Sequence, residues 1–540
     1  MTVLVRSVRA AIPAAIIAVA VYLCFMHKAF NIDDVTFLTM ADHMLEDPLH
    51  PASVQISVNG RPPAWISAGM WSGPVMPAML TPSVAAGGAE WLAHLMMLVV
   101  FLVGIAASAA LAIRLGVSDR GARWVAILVT TSAAVLAMAQ TSMPDIPTMS
   151  FAVLGVERMY AYRTEGGWWR AVLATLAIAL CILSRQHGVL VFACALPLMF
   201  AHWPQSFGEL FRGLVDRRFL VVVATIVAGV GLVFLTYHLM RDPQPGGLTS
   251  TPQKVADFTL WRANLPNIPA QYVLTFPLGL CWAWLHAPQM VQRYWCWWGV
   301  LFGCYLARET HVFHRHMDWM WWQAPITALG TVVLIDIAVE AVRRRDPIDL
   351  GLAAWLLIAV PVVVYSHLPA KYMVPCAPAV ALLIVRAVER RPTPGRAYWG
   401  IGAVAAQGLI LALLIIRADQ VHAEVGRKGG DVVARYVKRG EKVWFDGTWA
   451  FQWYAQQAGA QPVTTVDPKP QPGDIVVVGL EGWVIRDWPN KELVERFTFT
   501  EPGGRILQKP AGFYSNVAWG PLPWRWSRKA HDPVEVWRIK

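Results

Sequence analysis

Two adjacent carboxylates, Asp33 and Asp34, stand a few residues beyond an apolar run that starts near Val8. Neighbouring acids at a bilayer boundary repel each other and lose part of their hydration. One use for such a group is general-base work, which needs a carboxylate held close to a reacting hydroxyl. The other is capping, since an Asp before Val35 would satisfy open amides of a helix starting there. The two readings are compatible. A third acid, Asp145, lies in Met143-Pro144-Asp145-Ile146-Pro147, a tract so short that the carboxylate stays at membrane depth. Ionisable groups at that depth mark functional sites unless, as is also open here, they cap the next span.

Basic groups form the other half of the constellation. Arg185 and His187 sit in Ser184-Arg185-Gln186-His187, and Lys371-Tyr372 begins a later apolar segment. A lipid headgroup or phosphate is one reason for cations there. For any one of them alone, snorkelling to the interface is the simpler account. A further cluster, Glu309 to Asp318 with His311, His314 and His316, offers zinc-ligand types. Its spacing matches no standard site, so a polar interfacial loop is the default. No GxxxxGK[ST] loop and no strand–GxGxxG–helix is present, so nothing looks built to hold a nucleotide.

These groups have to be positioned by membrane-spanning elements. The 540 residues are 56% hydrophobic and 15% charged, whereas soluble domains carry about 25% charged residues. Apolar runs recur up to residue 417, each long enough for a hydrocarbon core of about 30 Å. Spans are expected near 8–26, 89–113, 122–140, 146–162, 168–183, 186–203, 218–238, 271–287, 291–306, 320–341, 349–366, 371–389 and 398–417, about thirteen in all. The net charge of +11 is spread as short arginine clusters between runs, a positive-inside pattern that argues against nucleic acid. It places the N-terminus in the cytoplasm. The odd count then puts the tail from Ala418 outside, along with Asp33, Asp34, Asp145, Arg185, His187 and Lys371.

The fold class expected is thus a polytopic α-helical membrane protein over 1–417, with a small C-terminal α/β soluble domain over 418–540. In that tail Lys442–Phe445 and Asp474–Val478 read as buried strands around a helix at Trp449–Gln457. The first external loop, 27–88, holds an amphipathic stretch, Val35–Leu45, expected to lie along the membrane surface. Trp65–Leu80 reads as a second surface helix or re-entrant piece. The loop Met240–Ala270 is also long enough to be functional. The seven cysteines have no CxxC spacing and suit neither a disulfide framework nor zinc. No Asn-x-Ser/Thr sequon occurs, which fits a bacterial inner membrane.

The tract NIDDVTFLTMADHMLEDPLHP resembles the acidic signature of GT-C fold glycosyltransferases, most closely the protein O-mannosyltransferase and aminoarabinose transferase group of bacteria. SMPDIPTM is similar to the second acidic motif of that group, LSRQHGVL to a basic motif, and HLPAKYMVPCAPAVALL to its late Tyr-x-x-Pro-x-x-Pro helix. The resemblance covers residues 1–417. It departs at the first motif, usually Asp-Glu in the family and here Asp33-Asp34. It implies an inverting transfer from a polyprenyl-phosphate-linked sugar to an acceptor hydroxyl on a glycan, lipid or protein. Asp33 or Asp34 would take the acceptor proton, and Asp145 would orient the acceptor or a basic partner. Arg185, His187 and Lys371, with Tyr372 alongside, would bind the leaving lipid phosphate. Arg61 and His50 in the first loop would touch the donor. No obligatory metal or other cofactor is implied. The alternative is a transporter or flippase for a lipid-linked precursor, which should show internal repeats and midplane charges.

Overall fold

In lipid, the backbone of a long apolar segment can satisfy its own polar groups only by forming helix. The computed structural model describes residues 2–540 apart from 58–59, 69–71, 201, 241–263, 313–316, 365–366, 481, 483, 486–487, 489, 500–504, 508–512, 515–521 and 529. Most of the expected loop at Met240–Ala270, and His314 and His316, lie outside the described residues. Among those described, six helices are long and apolar enough to cross a membrane: Val3–Phe25, Glu90–Arg114, Arg217–Leu239, Ala324–Arg344, Ala370–Glu389 and Pro394–Lys438. Two bent pairs raise the number to eight if each is one crossing. They are Asp119–Thr131 with Ala133–Ala139, bent by 63°, and Asn267–Leu274 with Leu278–Leu306, bent by 84°. The chain is a polytopic helical membrane protein; among the described residues, length and composition alone pick out six to eight crossings where about thirteen are expected.

The differences have local causes. The segments expected at 271–287 and 291–306 contribute instead to one helix, Leu278–Val312, that runs straight through Pro288. Proline does not have to end a helix in a membrane protein, where neighbouring groups satisfy the carbonyl it frees. The span expected at 186–203 is broken into the 3-10 turn Gln186–Gly188, the helix Val189–Cys194 and the 3-10 turn Leu196–Met199. Lys371 and Tyr372 lie in a 3-10 turn, Ala370–Cys376, ahead of the helix Ala377–Glu389. Both basic motifs therefore sit where regular helix gives way.

Small residues let the body close around them. A Cβ on Gly104 would fall 2.4 Å from Ser150 Oγ, so the helix Glu90–Arg114 approaches Asp145–Glu165 closely through that glycine. The far end of the same pair is tied by Arg114 Nε to Glu157 Oε1 at 2.6 Å. Arg386 Nε likewise meets Asp349 Oδ1 at 2.9 Å. These ion pairs clamp the ends of the helices remote from Asp145.

The helix from Asp34 to Glu46 does not lie open along a surface. Val35, Thr36, Phe37, Leu38, Met40 and Ala41 are all buried, because it packs on the helix Val75–Ala85 and on the C-terminal unit. That unit has no break at its start. The helix Pro394–Lys438 continues through residue 417 and becomes part of it. Its five-stranded sheet runs in the order Gln461–Pro462, Val443–Asp446, Ile475–Val478, Val534–Ile539, Lys491–Phe497. The first three are parallel and the last two antiparallel to their neighbours. Val443–Asp446 and Ile475–Val478 are buried throughout, matching their uninterrupted apolar reading. The helix Ala450–Gln457 covers the sheet and rests on Gly426 and Gly430. The unit holds the first long loop directly: Phe30 N donates to Tyr454 Oη at 3.0 Å, and Gln452 Nε2 to the Ser57 carbonyl at 2.8 Å.

Candidate active site

The turn Asn31-Ile32-Asp33-Asp34 separates the two acids. Ile32 is buried and has φ +47°, a left-handed conformation that a β-branched residue adopts only under strain. The twist sends the two carboxylates to different surroundings. Asp34 turns inward, where Oδ2 accepts from Asn31 N at 2.8 Å and Oδ1 from Ser142 N at 3.0 Å. It thereby fastens the turn to the segment just before Asp145. Burial pushes the Asp34 carboxyl up to about 7, against the opposing pull of Lys28 and the two amides.

Asp33 turns outward and keeps 37% of its side-chain surface open. It begins the helix without capping it. Its Oδ2 instead accepts from Lys371 Nζ at 2.7 Å, the only strong cation of the 3-10 turn and almost wholly buried. Burial would raise the Asp33 carboxyl, but Lys371, His367 and Arg185 together hold it below the ordinary carboxylate range.

Beside this pair stands a second one. Arg185 NH1 lies 3.3 Å from Asp145 Oδ1, with both side chains largely buried. Asp145 Oδ2 is buried and has no hydrogen-bond partner among the described residues, which leaves one edge of the carboxylate unsatisfied. The Arg185 guanidinium stacks 4.4 Å from the Tyr372 ring centre. Tyr372 Oη in turn meets His367 Nε2 at 3.1 Å, and the His187 ring is tilted against that of Tyr372 with centroids 5.8 Å apart. Burial lowers His367 to about 4, with Lys371 adding to the effect. Gly73 is pressed against Leu183, its missing Cβ leaving room for that carbonyl, and so braces the corner from which Arg185 projects.

Six of the nine residues singled out from the sequence, Asp33, Asp145, Arg185, His187, Lys371 and Tyr372, thus gather in one cluster. Asp34 supports it from beneath. His50 and Arg61 do not join it: His50 Nδ1 pairs with Asp47 Oδ2 at 2.8 Å, and Arg61 stands exposed, its carbonyl accepting from Ser57. The sequence reading passed over His367, and with it a buried group behind the turn. There Lys28 Nζ lies 2.7 Å from Asp419 Oδ2 and donates to the Gln140 carbonyl at 2.8 Å, while Asn31 Nδ2 and Tyr514 Oη also donate to Asp419. A lone Lys just past the first span and a lone Asp at the end of the last were the only signals available. Among the described residues no group of three or more His, Cys, Asp and Glu could hold a metal ion.

Chemically, the cluster offers one accessible ionised carboxylate, two cations within reach of it, and a second carboxylate that is oriented but half satisfied. That is a set for deprotonating a hydroxyl beside an anionic leaving group.

Residues 82–243 match the family described as Dolichyl-phosphate-mannose-protein mannosyltransferase. The matched segment carries Asp145, Arg185 and His187. No curated protein matches the chain in sequence. Among solved structures, the chain is similar to ArnT from Cupriavidus metallidurans bound to undecaprenyl phosphate, at 14% identity and a TM-score of 0.47, over 86% of this chain and 92% of that one. It is also similar to the archaeal oligosaccharyltransferase AglB from Archaeoglobus fulgidus, in complex with an inhibitory peptide and a dolichol-phosphate. There the identity is 12% and the TM-score 0.43, over 85% of this chain and 64% of that one.

Proposed function

We propose that this chain, a membrane glycosyltransferase using a lipid-linked sugar donor, works at the cluster around Asp33. Transfer inverts the anomeric carbon and takes place on the external face of a bacterial inner membrane. The observation that carries this reading is the Asp33–Lys371 ion pair, open on the Asp33 side, with Arg185 and Asp145 next to it.

Asp33, rather than Asp34, is the base. Both oxygens of Asp34 already accept backbone amides, whereas Asp33 is the acid with open surface. The acceptor oxygen attacks the anomeric carbon, its proton passes to Asp33, and the bond from that carbon to the phosphate oxygen breaks. Negative charge grows on the departing polyprenyl phosphate. Lys371 and Arg185 are the cations that can meet it, and charge-assisted hydrogen bonds of this kind act most strongly where water is excluded. As the phosphate comes to share Lys371 in place, Asp33 feels less of its charge and becomes the better base. Asp145 holds Arg185 in line. The C-terminal unit sits on the same side, and the N-terminus in the cytoplasm. Transport of a lipid-linked precursor is not the favoured alternative, since these groups gather at one end of the helices rather than midway along them.

The test uses purified protein in nanodiscs with polyprenyl-phosphate-linked monosaccharides and a panel of hydroxyl acceptors. Transfer should occur and should fall at least about a hundredfold in Asp33→Asn. Wild-type activity in Asp33→Asn would end the assignment. In proteoliposomes, donor translocation without transfer would favour the transport alternative.

A further inference from the structure

The C-terminal unit reaches into the helical body with Phe513 and Tyr514, which lie between the strands Arg505–Leu507 and Arg525–Ser527. Both are buried, and they pack with the apolar core of the membrane helices rather than with that of their own sheet. A buried phenol needs a partner for its hydroxyl. Tyr514 Oη donates to Asp419 Oδ2 at 3.3 Å, joining the group formed by Lys28, Asn31 and Asp419. Its ring looks the other way, toward the site: Lys371 Nζ lies 5.7 Å from its centre and 5.9 Å from that of Tyr372. The ammonium that faces Asp33 therefore lies over two aromatic rings, one from the membrane body and one from the C-terminal unit.

We propose that Tyr514 is a positioning residue of the transfer site, holding Lys371 against Asp33 and making the C-terminal unit part of the active centre. The proposal rests on the transfer reading given above. Lysine is a compact charge on a flexible four-carbon stem, so its placement depends on what surrounds its tip. Ring faces attract an ammonium most where it is desolvated, as Lys371 is. The hydroxyl reinforces the same pair from behind. Through Asp419 it holds the Asn31 side chain, and Asn31 opens the strained turn that aims Asp33. Tyr514 thus acts on the cation directly and on the acid through one intermediate.

The experiment compares full-length wild type, Tyr514→Phe and Tyr514→Ala in nanodiscs. Phenylalanine keeps the ring and loses only the Asp419 hydrogen bond; alanine loses both. In Tyr514→Ala kcat should fall about tenfold or more, a size that loss of a desolvated ring–cation contact allows. KM for the acceptor should stay within about twofold, and Tyr514→Phe should keep kcat within about threefold of wild type. Two results overturn the proposal: wild-type kcat in Tyr514→Ala, or losses in both variants that simply follow the fraction of folded protein. Binding of undecaprenyl phosphate, followed by native mass spectrometry, gives a readout separate from turnover. It should weaken in Tyr514→Ala and persist in Tyr514→Phe, and equal binding by all three proteins counts against positioning. A wild type that binds the lipid phosphate yet transfers no sugar defeats the transfer reading instead, leaving the binding comparison to judge Tyr514.

Discussion

Lys371 Nζ lies 2.7 Å from Asp33 Oδ2, although 338 residues separate them in the chain. Proposed base and proposed phosphate anchor are thus fastened to each other before any substrate arrives. Such a pair keeps Asp33 ionised at the cost of some basicity, and an incoming anion competes for the lysine. In the proposed reaction this arrangement would couple donor arrival to activation of the base, which neither residue could do alone.

Removing the lysine charge should show in the pH dependence. Asp33 lies below the ordinary carboxylate range because Lys371, His367 and Arg185 outweigh its burial. A reaction needing ionised Asp33 is active above that pKa and fails as pH falls through it. In Lys371→Gln the largest opposing charge is gone, so the acid limb of kcat/KM should move to higher pH. The maximum rate should also fall by about 10²–10³, as when one stabiliser of developing charge is lost. A limb that stays in place would show that Lys371 does not set the charge of Asp33.

The two adjacent acids should part company on mutation. Asp33→Asn removes the base and should cost about 10²–10⁴ in kcat, far more than any loss of folded protein caused by leaving the buried Lys371 without its carboxylate. Asp34→Asn keeps one acceptor oxygen but leaves an amide hydrogen bond unmade in a buried site. That should cost about 1–3 kcal/mol of stability, with a smaller loss of kcat. Thermal melts and turnover measured on the same preparations check the split, and a reversed pattern would exchange the roles assigned to the two residues.

Asp34 also makes a linkage prediction. Its folded pKa is raised to about 7 from a reference of 3.8. Between those values the folded state binds more protons than the unfolded one, so stability should decline as pH rises through that window. Asp34→Asn cannot titrate, and its melting temperature should lack this component. Differential melting curves from pH 4 to pH 7 decide the matter. Identical slopes in both proteins would mean that Asp34 ionises as readily folded as unfolded.

Much of this site could be read from residue types before any geometry. Asp145, Arg185, His187, Lys371 and Tyr372 all stand out as ionisable or amphipathic groups next to apolar runs. The distinction between Asp33 and Asp34 could not be read, because it depends on the left-handed Ile32, and nothing in a β-branched residue foretells that conformation. The spans expected at 271–287 and 291–306 share one helix, Leu278–Val312, which contains Pro288. His50 and Arg61 were chosen for charge in a long loop, but that loop folds onto itself and the C-terminal unit. The division at residue 417 marked a real change in composition, yet the helix Pro394–Lys438 carries both kinds of sequence. In the tail, periodicity sufficed for the strands Val443–Asp446 and Ile475–Val478. That Tyr514 leaves its own sheet to enter the membrane body is a long-range packing fact with no local signature.

The coupling of Asp145 to Arg185 can be measured by a double-mutant cycle. Each group is buried, so Asp145→Asn leaves Arg185 without its counter-charge and Arg185→Gln leaves a carboxylate bare. Single losses in donor kcat/KM of about tenfold or more are expected, and the double variant should be little worse than the poorer single one. Losses that multiply would mean that the two act independently on the substrate, and that the 3.3 Å approach has no functional weight.

The last prediction concerns the ion pair behind the site. Lys28 and Asp419 are almost wholly buried, 2.7 Å apart, and they join the end of the first span to the helix Pro394–Lys438. Burying two charges is costly, and a partner removed alone leaves the other uncompensated. Lys28→Met and Asp419→Leu should therefore each destabilise the protein by about 3–5 kcal/mol. Replacing both removes the stranded charge, so the double variant should be more stable than the sum of the single losses predicts. Recovery should stay incomplete, because Asn31 Nδ2 and Tyr514 Oη would still lose their acceptor. The turn bearing Asp33 would then be held less firmly, and kcat should remain below wild type even where melting has recovered. Chemical denaturation in detergent, with turnover measured alongside, separates the two effects. If the single losses add in full, Lys28 and Asp419 are not an energetic pair, and the link from the helix Pro394–Lys438 to the turn bearing Asp33 must run through other contacts.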